Sequence, residues 1–296
     1  MTPHLLCHAF ATHTLIEVVG KGLEVPKDGW TPAAFARQGT LLLRVMHRLA
    51  QLTQRKALPH VAATAKRIMR EQMRKVVERA MGRAPKKAPT FLEIIMPQHE
   101  ALWMQALDEV FRETGIEATM ELMPPIQSVM GRAYSTTNML LAQDGDLTGR
   151  QRLAREARDI ALRITAINDT TRKQFERVIR NAIDEGATVT ETARRLTDDF
   201  PAMAGSRIGT IARTELNNAY TKGAVTSYQE SSTVTHVSVI GCESRELDRW
   251  GQPSYLPYEY RGESTCNIED VPVSDADKLR FHPNHTGTMV PSRFRE

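Results

Sequence analysis

The stretch FERVIRNAIDEGATVTETARRL, residues 175–196, contains the end of one helix and the start of the next. Gly186 is typical of a residue that terminates a helix. Thr188 to Glu191 fits a capping box, in which the threonine hydroxyl and the glutamate carboxylate satisfy free backbone N–H groups at a helix start. The residues before the glycine form one apolar face with helical spacing: Phe175, Val178, Ile179, Ala182 and Ile183. The stretch therefore predicts a protein built mainly from helices.

Helical patterns also occupy the first 145 residues. Thr31 followed by Pro32 is typical of an N-cap and a first helical position. Apolar residues then recur at helical spacing between residues 41 and 52. Because proline removes a backbone donor and clashes with the preceding turn, we expect Pro59 to end or bend this helix. For the same reason Pro124-Pro125 is expected to break the chain again.

After residue 146 the expected helices are shorter. Residues 147–167 are interpreted as one helix, and Asp169 or Thr170 as the cap of the next. The capping box then opens a short helix, and a longer helix is expected from about Ser206 to Gln229.

Residues 231–296 have a different pattern. VTHVSVI, residues 234–240, alternates in the manner of a half-buried strand. The predicted fold class is α+β and predominantly helical. Its parts are an N-terminal helical region (1–145), a central helical part (146–230) and a small, loop-rich C-terminal β/α module with cysteines and histidines (231–296). A module of this kind buries few aliphatic side chains and needs an additional staple.

The composition excludes several classes of protein. No apolar run reaches the length of about eighteen residues that a membrane span needs, so no span is expected. The N-terminal residues lack the pattern of a secretory signal peptide. Three cysteines, at positions 7, 242 and 266, do not form a disulfide framework. Synthesis in a reducing cytoplasm is therefore expected.

The positive charge is unevenly distributed. Residues 231–296 contain seven Lys or Arg and ten Asp or Glu, whereas residues 66–87 contain nine basic residues and two acidic ones. A basic helix can contact phosphate or an acidic protein surface, or can face water. The candidate contact residues are Lys66, Arg67, Arg70, Arg74, Lys75, Arg79, Arg83, Lys86 and Lys87.

The C-terminal module contains four residues of the types that bind zinc. Cys242, Cys266, His282 and His285 match the ligand number of a closed tetrahedral site, and a structural zinc would supply the missing staple. Only the histidines are closely spaced, however, and strong zinc signatures contain C-x-x-C pairs. The alternative is that the cysteines are small buried hydrophobes and the histidines lie in turns.

An enzyme is a second hypothesis. The HPNH sequence at 282–285 could belong to a metal-dependent nuclease, and Glu263 with Arg261 could belong to a transferase site. No glycine-rich phosphate loop or strong catalytic spacing supports either activity. Ion pairs among charged loops are the better explanation of these residues.

RIGTIARTELNNAY, residues 207–220, interleaves polar residues with an apolar helix face. Arg213 and Glu215 are candidates to link this helix to the C-terminal module. The alternative is an exposed polar face.

Together these segments resemble the phage head morphogenesis family, the minor head proteins similar to protein F of phage Mu. The resemblance covers about residues 165–290. Ile211-Ala212-Arg213-Thr214-Glu215 matches the central helix motif of that family, and His282-Pro283 matches the start of its C-terminal knuckle. His285 stands where a cysteine is common in the family.

The resemblance implies a non-enzymatic structural protein of the virion. Such proteins act in head assembly at the portal vertex or the capsid interior, where the portal or major capsid protein is the expected partner. Contact with packaged double-stranded DNA is an associated expectation. A third hypothesis is a DNA-binding module unrelated to the capsid.

Overall fold

The computed structural model describes residues 23–27, 29–83, 96–143, 147–240, 268–279 and 287–295. Within these ranges, four long helices come first and a small antiparallel sheet follows. The elements are α1 (Pro32–Arg83), α2 (Met96–Leu140), α3 (Leu147–Asp184), α4 (Val189–Glu230), β1 (Val234–Ile240), β2 (Val271–Pro272), a 3-10 helix (Val273–Lys278) and β3 (Thr288–Phe294). The protein is therefore α+β and predominantly helical, as the sequence predicts.

The local helix signals are confirmed. The Thr31 hydroxyl accepts the Ala34 N–H at 3.2 Å, at the start of α1. Gly186 has φ +77°, and the Ala187 N–H donates to the Ala182 carbonyl at 2.8 Å, which closes the end of α3. In the capping box the Thr188 N–H donates to the Glu191 carboxylate at 2.7 Å. The Glu191 N–H returns a 3.2 Å hydrogen bond to the Thr188 hydroxyl.

The helix ends expected at the prolines and near residue 169 are wrong, whereas the alternative of a bend at Pro59 stays a prediction. Pro59 lies inside α1, and Pro124 and Pro125 lie inside α2. The break expected at Asp169 or Thr170 is absent because α3 is continuous over Leu147–Asp184. The short helix and the longer helix expected from Ser206 form the single helix α4.

The chain forms two compact units. Unit 1 comprises residues 1–59, 124–160 and 213–296, and unit 2 comprises residues 60–123 and 161–212. Each of the four helices contributes a segment to each unit. The unit boundaries in α1 and α2 fall at Pro59 and Pro124, so two of the prolines mark a change of unit and no end of a helix. The three-part division predicted from the sequence stays a prediction.

Unit 1 contains the sheet, whose strand order is β2-β1-β3 with both pairs antiparallel. β1 is the central strand, and Val237 and Val239 on it are buried. Trp30, Phe35 and Phe294 form an aromatic cluster between the start of α1 and the end of β3, with ring centroids 4.9 to 6.5 Å apart. The strand predicted at 234–240 is thereby confirmed and has its place inside unit 1.

Unit 2 has an apolar core to which all four helices contribute. Phe175 lies at its centre, with ring centroids 6.1 Å from Phe111 and 6.4 Å from Phe200. The buried members of this cluster include Met69, Met73, Val76, Trp103, Leu107, Val110, Phe175, Ile179, Ile183, Leu196, Phe200 and Ile208. Among the described residues, no helix combines the length and the apolar character that crossing a membrane requires.

Candidate functional site

The candidate zinc ligands Cys242, Cys266, His282 and His285 lie outside the described residues, as does the motif residue Pro283. The zinc site therefore stays a prediction. Within the part of the chain that the structure describes, no three His, Cys, Asp or Glu side chains are grouped so as to hold a metal ion.

The candidate enzyme residues have the same status. Arg261 and Glu263 lie outside the described residues. His236 on β1 is half-buried, and its Nδ1 lies 3.0 Å from the hydroxyl of its neighbour Thr235. This contact orients a strand side chain and assigns no catalytic role to it.

The described residues that flank the candidate zinc ligands lie together at one end of the sheet. Ile240 at the end of β1 pairs with Thr288 at the start of β3. The Val239 N–H donates to the Ile268 carbonyl at 3.0 Å. Ile240, Ile268 and Thr288 are each within three residues of a candidate ligand in the sequence. The sheet thus brings together three chain positions adjacent to Cys242, Cys266 and His285.

The motif residues 211–215 lie within α4. Ala212 is buried, Arg213 is exposed, and Ile211 and Thr214 are half-buried. Glu215 is only 9% exposed, and its carboxylate accepts a hydrogen bond from Asn218 Nδ2 at 3.3 Å. The motif therefore presents one exposed cation beside a buried carboxylate, and the predicted link from Arg213 and Glu215 to the C-terminal module stays a prediction.

A direct link between α4 and the sheet lies farther along the helix, at Tyr228. This tyrosine is buried, and its hydroxyl donates to the Met289 carbonyl in β3 at 3.0 Å. Burial, together with the neighbouring Tyr220 hydroxyl, raises the pKa of Tyr228 well above its ordinary value. The hydroxyl therefore stays protonated and continues to donate. The next residue, Gln229, donates to the Val273 carbonyl at 3.4 Å.

His47 provides a second polar contact to the same strand. Its Nδ1 lies 3.0 Å from the Thr288 hydroxyl, and the Gln51 amide nitrogen lies 2.8 Å from its Nε2. Because the Gln51 amide donates, the network assigns the ring proton to Nδ1. Burial lowers the pKa of His47, so the neutral ring is favoured. Residues from α1 and α4 thus meet β3 through two neighbouring positions, Thr288 and Met289.

The basic segment is largely neutralised by carboxylates on α1 and α2. Arg79 pairs with Glu113 and, at 3.4 Å, with Glu109. Arg83 pairs with Glu109 at 2.7 Å. Three further candidate residues are also in ion pairs: Arg67 with Glu121, Arg74 with Glu71 and Glu78, and Lys75 with Glu71.

These ion pairs change the basicity of both partners. Hydrogen bonding from Arg79 lowers the pKa of the Glu113 carboxyl, and the same bond raises the pKa of Arg79. Lys66 and Arg70 make no ion pair with another described residue, and Lys86 and Lys87 lie outside the described residues. DNA contact by this segment stays a prediction. Within unit 2, the candidates for that contact are now the basic residues that carboxylates leave unpaired.

Sequence reasoning missed Tyr228 and His47. A signal for the tyrosine was present, because Tyr220 and Tyr228 are eight residues apart and so lie near one face of a helix. His47 gave no such signal, since its partner Thr288 is 241 residues away in the sequence.

Comparisons with known proteins identify no relative of the chain. No family model matches the chain, and neither a curated protein nor a solved structure matches it.

Proposed function

We propose that the chain is a non-enzymatic phage minor head protein that acts in head morphogenesis at the portal vertex or the capsid interior. The observation that carries the proposal is the order of segments in the sequence. A helix ending at Gly186, the Ile211–Glu215 motif, a strand and the His282-Pro283 knuckle follow one another as in the phage head morphogenesis family.

The arrangement of α4 and the sheet supports this proposal. The motif lies on α4, which is followed after three residues by β1. Tyr228 joins the same helix to β3, and the part of α4 from Arg213 onward belongs to one unit with the sheet. Such a unit can present a defined surface to the portal or the major capsid protein, with packaged double-stranded DNA as an additional partner.

A structural zinc in the C-terminal module is part of the proposal. Cys242, Cys266, His282 and His285 would be its ligands, and the convergence of Ile240, Ile268 and Thr288 at one end of the sheet supports the grouping. Because an unfolded chain has no preformed site, zinc binding would add to the folding free energy. The ligands must be deprotonated cysteines and neutral histidines, so this contribution would depend on pH.

The zinc is tested by metal analysis of the purified full-length protein. Cys266→Ser and His282→Asn should lower both the zinc content and the melting temperature, whereas Cys7→Ser should change neither. A zinc content near zero in the unaltered protein would contradict this part and leave the head assignment standing.

The head assignment is tested by quantitative mass spectrometry of purified, DNase-treated virions from the phage or prophage that encodes the chain. We expect a low copy number per particle and co-purification with the portal protein. Absence from both mature particles and proheads would contradict the assignment, and nuclease and transferase assays would then follow.

A matched pair of variants tests the motif in the same particles. Arg213→Ala should lower the copy number if the exposed side of the motif docks on the portal or the capsid. Arg177→Ala removes an equally exposed arginine from α3 and should leave the copy number unchanged. Equal incorporation of both variants would place docking elsewhere on the chain.

A further inference from the structure

One side of α1 within unit 1 carries a row of four arginines. Arg37, Arg44, Arg48 and Arg55 are all exposed, and successive members are seven, four and seven residues apart. At about 100° per residue, these spacings place the four side chains within an arc of about 40°. At 1.5 Å per residue the row is about 27 Å long. These four residues are termed the arginine row.

The arginine row differs from the paired cations of unit 2. None of its members forms an ion pair or a side-chain hydrogen bond with any residue that the structure describes. The lack of ion pairs has one cause in the sequence, since residues 29–70 contain no Asp or Glu. The carboxylates that pair with Arg74, each about one turn away on α1, therefore have no counterpart beside the row on the same helix.

The surroundings of the row favour a polyanion over a protein partner. Stable protein interfaces depend on buried aromatic or aliphatic anchors. The exposed large hydrophobic side chains among the described residues are Met81, Ile116 and Met120, and all three belong to unit 2. The row thus offers charge without an apolar anchor, which is sufficient for a phosphate backbone.

We propose that the arginine row binds the phosphate backbone of double-stranded DNA without reading its sequence. Guanidinium groups bind phosphate oxygens in a bidentate manner. A duplex carries one negative charge per about 1.7 Å of axis when both strands are counted, so a 27 Å length of duplex contains about 16 phosphates, several times the number of arginines. Contacts to the backbone set position and carry no sequence information.

The proposal does not depend on the head assignment. The protein can be part of the head without DNA contact by the row, and it can bind DNA without being part of the head. Separate experiments distinguish these outcomes. Virion mass spectrometry decides the first question, and a binding titration with purified protein decides the second.

The experiment is a fluorescence-anisotropy titration of the full-length protein with a labelled duplex of random sequence. Each arginine that neutralises a phosphate adds about 0.9 to the slope of log affinity against log salt. Four arginines would therefore lower the affinity on the order of 100-fold between 50 and 200 mM salt. We expect that dependence in the unaltered protein, and its loss when Arg37, Arg44, Arg48 and Arg55 are all changed to Gln.

The control variant changes Arg67, Arg74, Arg79 and Arg83 to Gln. It removes the same charge from the same helix by the same substitution, but at positions that carboxylates already neutralise. We expect it to keep most of the salt dependence and of the affinity. Circular dichroism and thermal melting of both variants establish that they are folded.

Three outcomes would overturn the proposal. Equal loss in the two quadruple variants would mean that net charge, and not the row, determines binding. An unchanged salt slope in the row variant would exclude the row as the contact. Row-dependent binding of polyglutamate with no binding of duplex would identify an acidic protein as the partner. If the row variant fails to fold, Arg44→Gln and Arg48→Gln separately should each reduce the slope by about 0.9.

Discussion

Both units bury apolar side chains, but their polar contacts differ. In unit 1, buried side chains donate to backbone carbonyls that are distant in the sequence. In unit 2, a buried hydrogen bond joins the side chains of Gln72 and Thr114, and ion pairs join helices at the surface. The Tyr228 hydroxyl donates to β3, and Trp30 Nε1 donates to the Leu140 carbonyl at 2.6 Å. In unit 2, Phe175 lies among aromatic rings, while Arg79 reaches carboxylates at the surface.

The two kinds of polar contact constrain the structure to different degrees. A hydrogen bond has a required direction, and its buried partner is left unsatisfied when the geometry changes. Apolar burial is not directional, and exposed ion pairs add little to stability. The hydrogen bonds to β3 therefore fix the geometry around the sheet of unit 1, whereas the exposed ion pairs of unit 2 add little to what its buried core contributes.

The largest expected effect is in the core of unit 2. Phe175→Ala removes a ring that is 1% exposed and should lower the free energy of unfolding by about 3–5 kcal/mol. Val178→Ala, at a half-buried position on the same helix, should cost clearly less. Equilibrium unfolding in urea measures both. Equal losses would mean that Phe175 is not central to the core.

The next largest loss of stability is expected where two helices of unit 1 approach each other closely. A Cβ at Gly223 on α4 would meet the Met130 carbonyl and the Ala133 side chain on α2. Gly223→Ala should therefore lower the free energy of unfolding by about 1–3 kcal/mol.

Gly131→Ala is the matched control, since a Cβ there meets nothing within 4 Å. Alanine forms helix better than glycine, so this variant should gain up to about 1 kcal/mol. If both variants changed stability in the same direction, helix propensity and not the approach of α4 to α2 would explain the result.

The buried hydrogen bond of Tyr228 is tested by Tyr228→Phe. The change leaves the Met289 carbonyl without its donor and should cost about 1–3 kcal/mol. Tyr220 is also buried but makes no side-chain hydrogen bond to another described residue, so Tyr220→Phe should cost less. Thermal melting compares the two, and a larger loss at Tyr220 would contradict the role given to Tyr228.

Half-buried His47 and buried His99 allow the stability of the two units to be compared as a function of pH. Burial lowers the pKa of His47 in unit 1 and of His99 in unit 2 below their ordinary value of 6.5. As the pH falls, the unfolded chain therefore binds protons before the folded one does. The stabilisation from each neutral ring is complete above pH 6.5 and is lost as the pH falls from there through the lowered folded-state pKa.

His47→Gln and His99→Gln should each flatten the dependence of unfolding free energy on pH below 6.5. Unfolding in urea at a series of pH values measures both variants against the unaltered protein. A loss of stability on acidification that persists unchanged in both variants would assign it to other groups.

The smallest effect is expected at the surface of unit 2. Arg79→Gln removes ion pairs to Glu109 and Glu113. Such pairs gain little in water and are screened by salt. The urea midpoint should shift slightly at low salt and coincide with that of the unaltered protein at high salt. Lys173→Gln, at an exposed position on α3, serves as the charge control.

The sequence predicts features whose partners are close neighbours in the chain. The Thr31 cap, the Gly186 terminator and the capping box at Thr188 and Glu191 are each completed within a few residues. The fold class follows from the same local patterns together with the alternation of 234–240.

The helix breaks could not be predicted because they depend on distant packing. Proline in a helix costs about 3 kcal/mol or more, which burial on both sides can offset. Leu49 before Pro59 and Val61 after it are both buried, each in its own unit. A rule based on neighbouring residues takes account of the proline but not of these distant contacts.

The unpaired charge of the basic segment could not be predicted for the same reason. The charges of residues 66–87 can be counted in the sequence, but the carboxylates Glu109 and Glu113 that pair with Arg79 lie about thirty residues away. The absence of Asp and Glu from residues 29–70 was visible in the sequence and is the signal that would have directed attention to the arginine row.

The chain segments that make up each unit also determine which unit can fold first during synthesis. Every segment of unit 2 has been synthesised once residue 212 is made, whereas the packing of Trp30 and Phe35 in unit 1 requires Phe294. During translation the first half of α1 must therefore wait for its partners after unit 2 has received all of its own. A ribosome-bound nascent chain should accordingly resist proteolysis first in unit 2.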